Sequence, residues 1–161
     1  MEAYAASLAY ADNQIGRVIQ SLRDSGQIDN TLIVYIQGDN GSSAEGSFDG
    51  KLYEQSALSG VKESLDRTVA HIDDIGTRNA YNLYPGGWGW ALNAPFAWAK
   101  RYGWHFGGTR NAMVLSWPHH IKDPGGLRSQ FLHVSDIMPT LLDVAGVAAP
   151  AMLDGVPQQP I

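Results

Sequence analysis

The fold class depends most on the stretch DNTLIVYIQGDNG, which occupies residues 29–41 of the chain. From Thr31 to Ile36 it is a near-continuous run of β-branched, aliphatic and aromatic residues, a pattern typical of a strand buried on both faces of a parallel sheet. Polar residues and glycines follow at once, so the chain should form a loop at the carboxyl end of that strand. This order predicts an α/β fold with a site at the edge of a sheet.

An amphipathic helix is predicted before this strand. Apolar residues recur at spacings of three and four from Leu8 to Leu22, with polar residues between them, which indicates a helix over about residues 2–25. Gly26 is placed to take the left-handed conformation that ends a helix. A helix that leads through a short loop into such a strand is half of a βαβ unit.

Two further elements follow from the same patterns. A looser apolar stripe predicts a helix over about residues 50–72, interrupted at Gly60, and residues 111–117 predict a second buried strand. Both strands should lie in one sheet with helices packed alongside. Because a pair of strands is marginally stable in water, we expect the chain to be part of a larger domain.

The remaining regions are a long loop and a last helix. Residues 73–102 are rich in Gly, Pro and Trp, which favours an ordered surface loop packed by its own aromatic side chains. The last helix is predicted from Val134 to Gly146, with Ser135 or Asp136 as its N-cap.

The composition limits the classes of function. The chain has 161 residues, of which 44% are hydrophobic and 17% charged, so it is globular rather than disordered. Its net charge of −5 has the wrong sign for binding nucleic acid, and no apolar run reaches the roughly 18 residues of a membrane span. With zero cysteines there is no thiol nucleophile or thiolate metal site. The first residues do not resemble a signal peptide, which leaves the localisation open.

Asp39 and Asn40 are the candidate metal ligands. They offer a carboxylate and an amide oxygen side by side, which are ligands that Ca²⁺ prefers, at the carboxyl end of a strand. The alternative is a tight turn, because Asp-Asn and Asn-Gly are common turn dipeptides. Asn40-Gly41-Ser42 is also a glycosylation sequon.

Lys100 and His105 are the candidate anion-site residues. A lysine ammonium suits an anionic oxygen, a histidine exchanges protons near neutral pH, and the following Gly107-Gly108 would let backbone approach a ligand closely. The alternative is that Lys100 and Arg110 are solvated surface charges and that the glycines form a bend before a strand.

Other residues favour a structural role. Adjacent side chains on a strand point to opposite faces, so His119 and His120 do not form a ready chelate, and His133 is expected to bond to loop backbone. Four tryptophans could stack on a ring-bearing substrate, but packing is the more common use of tryptophan. They are Trp88, Trp90, Trp98 and Trp104.

Residues 29–41 resemble the type I sulfatases of the alkaline phosphatase superfamily, whose hallmark is a DNTLIVF…DNG segment after an amphipathic helix. A second block, residues 93–118, resembles the bacterial arylsulfatase branch, and residues 128–140 continue the likeness. It covers nearly the whole chain.

The resemblance implies a role for each candidate. Asp39 and Asn40 match half of the family's Ca²⁺ ligand set, and Lys100 matches the lysine that contacts the oxygens of a sulfate ester. His105 lies near that site. The metal ligands Asp39 and Asn40 and the anion-site residue Lys100 should then converge at one edge of the sheet. Asp39 and Lys100 should lie less than roughly 20 Å apart.

The resemblance also shows what is absent. The family's nucleophile motif is Cys or Ser followed by x-Pro-x-Arg, and its Cys or Ser becomes formylglycine. The only Ser-x-Pro here, at residues 116–118, lacks the arginine. We therefore expect residues 1–161 to be the C-terminal part of a sulfatase domain, a partial alkaline-phosphatase-like sandwich whose mixed or parallel sheet lacks its N-terminal half.

Three functions remain open on these grounds. The first is an arylsulfatase-type sulfuric ester hydrolase, which as an isolated chain would be nearly inactive. The second is a phosphodiesterase or phosphonate monoester hydrolase of the same superfamily, which would share the Asp39-Asn40 pair. The third is a non-catalytic truncated paralogue.

Overall fold

The computed structural model describes residues 1–159, which fall into two compact units. The first unit runs from Met1 to Lys122 and the second begins at Asp123. Within the described residues, no helix combines the length and the apolar character that crossing a bilayer requires. All four candidate residues for metal and anion binding lie in the first unit.

The first helix, α1, spans Glu2–Asp24 and confirms the helix predicted from the apolar spacing. Gly26 takes a φ of +69°, the left-handed conformation that glycine adopts at little steric cost. The N–H of Gln27 then bonds to the carbonyl of Leu22 at 2.9 Å. A 3-10 turn, Ile28–Asn30, leads from this helix end into the first strand.

The two predicted strands form one sheet, but they pair antiparallel. Strand β1 spans Ile33–Ile36 and strand β2 spans Met113–Ser116, with the first residue of each opposite the last residue of the other. Side chains on both faces of the pair are exposed, among them Tyr35, Val114 and Leu115. The expectation of strands buried on both faces of a parallel sheet is therefore wrong for the described residues. An apolar β-branched run indicates a strand but does not specify the direction of its partner.

The helix predicted over residues 50–72 is two short helices. Helix α2 spans Glu54–Leu58 and helix α3 spans Leu65–Ala70. Gly60 lies between them with a φ of +68°, in agreement with the predicted interruption. Because Ser64 caps α3 with its side chain, the second helix has a start of its own.

The predicted long loop contains a helix that was not predicted from the sequence. Helix α4 spans Gly86–Asn93 and includes three glycines, which are unfavourable inside helices. Gly89 is buried, and a Cβ there would overlap the carbonyl oxygen of Ser43 in the loop after β1. Glycine is therefore needed for α4 to approach that loop. A single further turn, α5, spans Phe106–Thr109 just before β2.

The second unit contains the predicted last helix. Helix α6 spans Ile137–Val144 and follows a 3-10 turn, Val134–Asp136. The turn begins with a reciprocal cap, in which the ring of His133 accepts from the N–H of Ser135 and the Asp136 carboxylate accepts from the N–H of His133. The predicted backbone-bonding role of His133 is thus confirmed. The residue whose side chain caps the first turn is His133 rather than Ser135 or Asp136, and Asp136 completes the cap by bonding back to it.

A short antiparallel hairpin follows α6 and was not predicted. Strand β3 spans Met152–Leu153 and strand β4 spans Val156–Pro157. Gly155, between them, has a φ of +80°. A turn with positive φ is a common way to join such short strands.

Apolar burial is concentrated away from the long helix. Among the described residues, the buried hydrophobic side chains are those of Leu52 and Ala99. The apolar stripe of α1 is open, with Leu8 46% and Val18 65% exposed. Ala99 adjoins Lys100, so the most buried segments include the one that carries the candidate lysine.

Candidate functional site

The loop after β1 places Asp39 and Asn40 at the surface, where their oxygens can reach a ligand. The side-chain amide of Asn111, just before β2, lies against the backbone of Asn40. Its two terminal atoms are 2.7 Å from the Asn40 nitrogen and 3.3 Å from the Asn40 carbonyl oxygen. An amide placed in this way accepts from the N–H and donates to the carbonyl. The start of β2 therefore fixes the backbone that carries the two candidate metal ligands.

The segment that carries Lys100 is bonded to the same loop. The backbone N–H of Lys100 donates to the carbonyl of Ser42 at 3.1 Å. Three residues of fully extended chain span at most about 11 Å, so the Cα atoms of Asp39 and Lys100 lie within about 18 Å of each other. This separation is below the limit of roughly 20 Å set by the sequence prediction.

Glycines let the backbones of these two segments touch. The N–H of Gly41 donates to the carbonyl of Gly108 at 3.1 Å, and a Cβ on Gly41 would overlap the carbonyl oxygen of Gly107. A Cβ on Gly107 would in turn overlap the carbonyl oxygen of Trp98. The sequence suggested that the paired glycines let backbone approach a ligand. In the structure, what they approach closely is the protein's own backbone.

Asn93, the last residue of α4, connects three segments around the site. Its side-chain oxygen accepts from the N–H of Ser42 at 3.1 Å. Its side-chain nitrogen donates to the carbonyls of Trp98 at 2.6 Å and Gly107 at 2.9 Å. Asn93 was not identified from the sequence, because an asparagine at the end of an unpredicted helix carries no distinguishing signal.

The ammonium of Lys100 is paired with a carboxylate. Its Nζ lies 2.8 Å from Oε2 of Glu45, while Nη2 of Arg101 lies 3.1 Å from Oε1. Ser43 adds a hydroxyl donor to Oε2 at 3.1 Å. Glu45 was also missed, since it lies 55 residues from Lys100 in a polar loop without a recognisable motif.

This pairing sets the charge of Glu45. The hydrogen bond from Lys100 lowers the pKa of the Glu45 carboxyl, against partial burial, which raises it. The hydroxyl of Ser43 and the charge of Arg101 lower the pKa further. Glu45 is therefore ionised at neutral pH and holds two cations at the edge of the site.

His105 lies in an aromatic cluster next to this segment. Its ring stacks on Trp98, with centroids 5.2 Å apart and planes 25° from parallel, and Tyr102 contacts the same indole at 4.6 Å. Trp104 packs edge-on against Tyr102 at 5.9 Å. The ring contacts favour packing as the role of Trp98, which is the alternative that the sequence favoured.

Arg110 contacts two aromatic rings. Its guanidinium carbon lies 5.1 Å from the ring centre of Phe96 and 5.3 Å from that of Phe106. At these distances the guanidinium is attracted to the faces of the two rings in cation–π contacts. The guanidinium of Arg110 therefore packs on two aromatic rings.

Asp39 and Asn40 fit part of a calcium site. One carboxylate and one amide oxygen, both exposed, are hard donors, but a tight Ca²⁺ site uses six to eight oxygens. Within residues 1–159 there is no cluster of three or more His, Asp or Glu side chains that could hold a metal ion. His119 and His120 are exposed.

Comparison of the sequence with known proteins finds similarity to sulfatases. The family model described as Sulfatase matches residues 1–147. The chain is 33% identical, over 150 residues, to an uncharacterized sulfatase of Schizosaccharomyces pombe (strain 972 / ATCC 24843), a match covering 93% of this chain and 26% of the relative. It is 28% identical, over 147 residues, to an arylsulfatase of Klebsiella aerogenes, a match covering 91% and 30%. The chain thus spans between a quarter and a third of the length of these curated relatives.

Proposed function

The chain belongs to the sulfatase family, and we propose that it forms part of a sulfuric ester hydrolase of the arylsulfatase type. The observation that carries this proposal is the hydrogen bond from the Lys100 N–H to the Ser42 carbonyl, because it holds a lysine beside the Asp39-Asn40 loop. A lysine and two hard oxygen ligands on adjoining segments suit an anionic ester whose negative charge grows in the transition state. The name of one relative, arylsulfatase, supports the same reaction class.

Each candidate residue has a distinct proposed role. Asp39 and Asn40 supply oxygens to a Ca²⁺ ion, which when bound offers Lewis-acid stabilisation to an oxygen of the ester. Lys100 donates N–H bonds to sulfate oxygens and stabilises the charge that develops on them. His105 borders this site from the aromatic cluster, and we assign no proton transfer to it.

We propose that the attacking group and the remaining metal ligands come from a part of the domain outside these 161 residues. The chain has no cysteine to become formylglycine, and its single Ser-x-Pro lacks the required arginine. The exposed stripe of α1 and the open faces of β1 and β2 are the surfaces that such a part would cover, completing an α/β sandwich. The isolated chain should then be nearly inactive, because loss of a nucleophile costs several orders of magnitude in rate.

The test compares two substrates on two proteins. The proteins are the 161-residue chain and the longest polypeptide whose reading frame contains it, called the longest in-frame polypeptide below. With Ca²⁺ present, the longer protein should hydrolyse 4-nitrophenyl sulfate with a higher kcat/KM than bis(4-nitrophenyl) phosphate, and the chain alone should be slower by at least about 10³. Preference for the phosphodiester would favour the superfamily's phosphodiesterases instead. Equal sulfatase activity in the short chain would contradict the role given to the rest of the domain.

Calcium binding tests the metal assignment separately. Because two adjacent oxygens fall short of a full ligand set, calorimetry on the isolated chain should show affinity of about 1 mM or none. In the longest in-frame polypeptide, Asp39→Ala should weaken Ca²⁺ binding at least tenfold, and Asp49→Ala, a change at an exposed residue of the same loop region, should not. Submicromolar binding by the isolated chain that Asp39→Ala abolishes would show that the site is complete without further ligands.

A further inference from the structure

We propose that Glu45 is a positioning residue, which fixes the ammonium of Lys100 for anion binding; this inference rests on the sulfate-binding role proposed for Lys100. The carboxylate of Glu45 contacts three donors, with Lys100 and Ser43 on Oε2 and Arg101 on Oε1. Each of its two oxygens therefore has at least one donor. One Lys100 N–H is directed to Glu45, which leaves the other two available for the oxygens of a bound anion.

A lysine needs such a partner to act as a fixed charge. Its four-carbon stem is flexible and loses rotamer entropy when it is held in place. In this chain the backbone end of Lys100 is held by its bond to Ser42, and the ammonium end is held by Glu45. The side chain is 30% exposed, so Lys100 is not enclosed by the protein and an anion can approach it from solvent.

Glu45 is itself held by contacts that do not involve Lys100. The N–H of Ser43 donates to the hydroxyl of Tyr84 at 3.1 Å, and the N–H of Glu45 donates to the Ser43 hydroxyl at 3.3 Å. Gly46 is buried, and a Cβ there would overlap the carbonyl oxygen of Tyr84. The turn at residues 43–46 is thus fixed against Tyr84, so the backbone that carries Glu45 is held independently of the lysine.

The backbone on the other side of the pair is strained. Trp98 and Arg101, on either side of Lys100, have φ angles of +71° and +79°. This left-handed conformation is unfavourable for a residue with a side chain and persists only where the surroundings enforce it. At Arg101 it accompanies the contact of the guanidinium with Glu45, so both cations of this segment meet the same carboxylate.

A double-mutant cycle in the longest in-frame polypeptide tests the proposal. Glu45→Ala should lower kcat/KM for an aryl sulfate on the order of tenfold, and Glu45→Gln, which keeps an acceptor oxygen, should recover most of the loss. The double variant of Glu45→Ala and Lys100→Ala should be no slower than Lys100→Ala alone, because Glu45 acts through the lysine. The matched control is Glu63→Ala, whose carboxylate accepts from the N–H groups of Leu52 and Tyr53, and its effect should add to that of Lys100→Ala. Additivity of Glu45→Ala with Lys100→Ala would overturn the proposal.

A second measurement does not depend on turnover. The chain has four lysines, Lys51, Lys62, Lys100 and Lys122, so reductive methylation can be followed at each by mass spectrometry. Glu45→Ala should raise the methylation rate of Lys100 several-fold and leave the other three rates unchanged. An unchanged rate at Lys100 would overturn the positioning role. If the rate rises while Lys100→Ala leaves sulfatase turnover intact, the positioning of Lys100 stands and the proposed function fails.

Discussion

The loops around Lys100 and the regular elements next to them in sequence differ in how they are held. In the loops, side chains far apart in sequence bond to backbone, as Asn93 does to Ser42, and glycine contacts bring backbone against backbone. In α1 and in the β1–β2 pair, hydrogen bonds run along the element or between the two strands, and many of the apolar side chains are exposed.

The two regions therefore differ in how complete their contacts are. The contacts that shape the site are already made within the first unit. Many apolar side chains of the regular elements are exposed in the described residues, and an exposed apolar face marks a region that packs against something else. Substitutions in the two regions should therefore differ in their effects on the chain.

The largest effect on stability is expected at Gly107. Gly107→Ala would push a methyl group into the carbonyl oxygens of Trp98 and Ala97, which are backbone atoms and cannot move aside cheaply. The free energy of unfolding should fall by about 3 kcal/mol or more, measured by urea denaturation. Gly103→Ala is the control, since a Cβ added at Gly103 would have nothing within 4 Å of it. Equal losses in the two variants would show that the loop contacts do not hold this region.

A smaller loss is expected at Asn93. Asn93→Ala removes an acceptor from the Ser42 N–H and a donor from two carbonyls, so the free energy of unfolding should fall by about 2 kcal/mol. Asn79→Ala removes an exposed bond to Asp74 and should cost less than about 0.5 kcal/mol. The comparison fails if chemical denaturation gives both variants the same midpoint.

Acid should weaken the site loops through Glu45. Its pKa is lowered in the folded chain, first by the hydrogen bond from Lys100, so the stabilisation is complete above its ordinary value of 4.5 and is lost as the pH falls through the lowered one. Glu45→Gln should lower the free energy of unfolding at pH 6 by at most about 1 kcal/mol. The difference from the parent chain should shrink towards pH 3, as measured by urea denaturation across that range. If the difference in free energy of unfolding between the variant and the parent chain grew on acidification, ionised Glu45 would not stabilise the folded chain.

The smallest effect is expected on the open face of α1. Val18 is 65% exposed, so Val18→Ser should change the free energy of unfolding of the 161-residue chain by less than about 0.5 kcal/mol. In the longest in-frame polypeptide the same change should cost more than about 1 kcal/mol, because a covering part of the domain would bury the side chain. Equal small effects in both proteins would show that this face stays open.

The sequence predicts elements better than it predicts their partners. Helix α1 follows from the spacing of its apolar residues. Its end could be predicted because glycine, here Gly26, readily takes the left-handed conformation. Helix α4 could not be predicted, because its glycines oppose helix formation, and two of them, Gly86 and Gly89, are explained only by contact with the loop after β1. The antiparallel pairing of β1 with β2 depends on residues about 80 positions apart, which local patterns do not encode.

The same limit applies to the site. Asp39 and Lys100 could be singled out because they stand in recognisable segments of the sequence. Glu45 could not, since only the folded chain brings its carboxylate to 2.8 Å from the Lys100 ammonium. The contacts of Arg110 with Phe96 and Phe106 could not be predicted either, because these rings lie 14 and 4 residues before it in sequence.

The most direct test of the central claim compares Lys100→Ala with Arg110→Ala in the longest in-frame polypeptide, with kcat/KM for an aryl sulfate as the measurement. Lys100→Ala should lower it by on the order of 10²–10³, the loss seen when one donor to a developing oxyanion is removed. Arg110→Ala should lower it far less, provided that circular dichroism shows intact folding, because its charge is packed on two rings. Turnover within a factor of about two for Lys100→Ala, together with abolished turnover for Arg110→Ala, would contradict the placement of the anion site at Lys100.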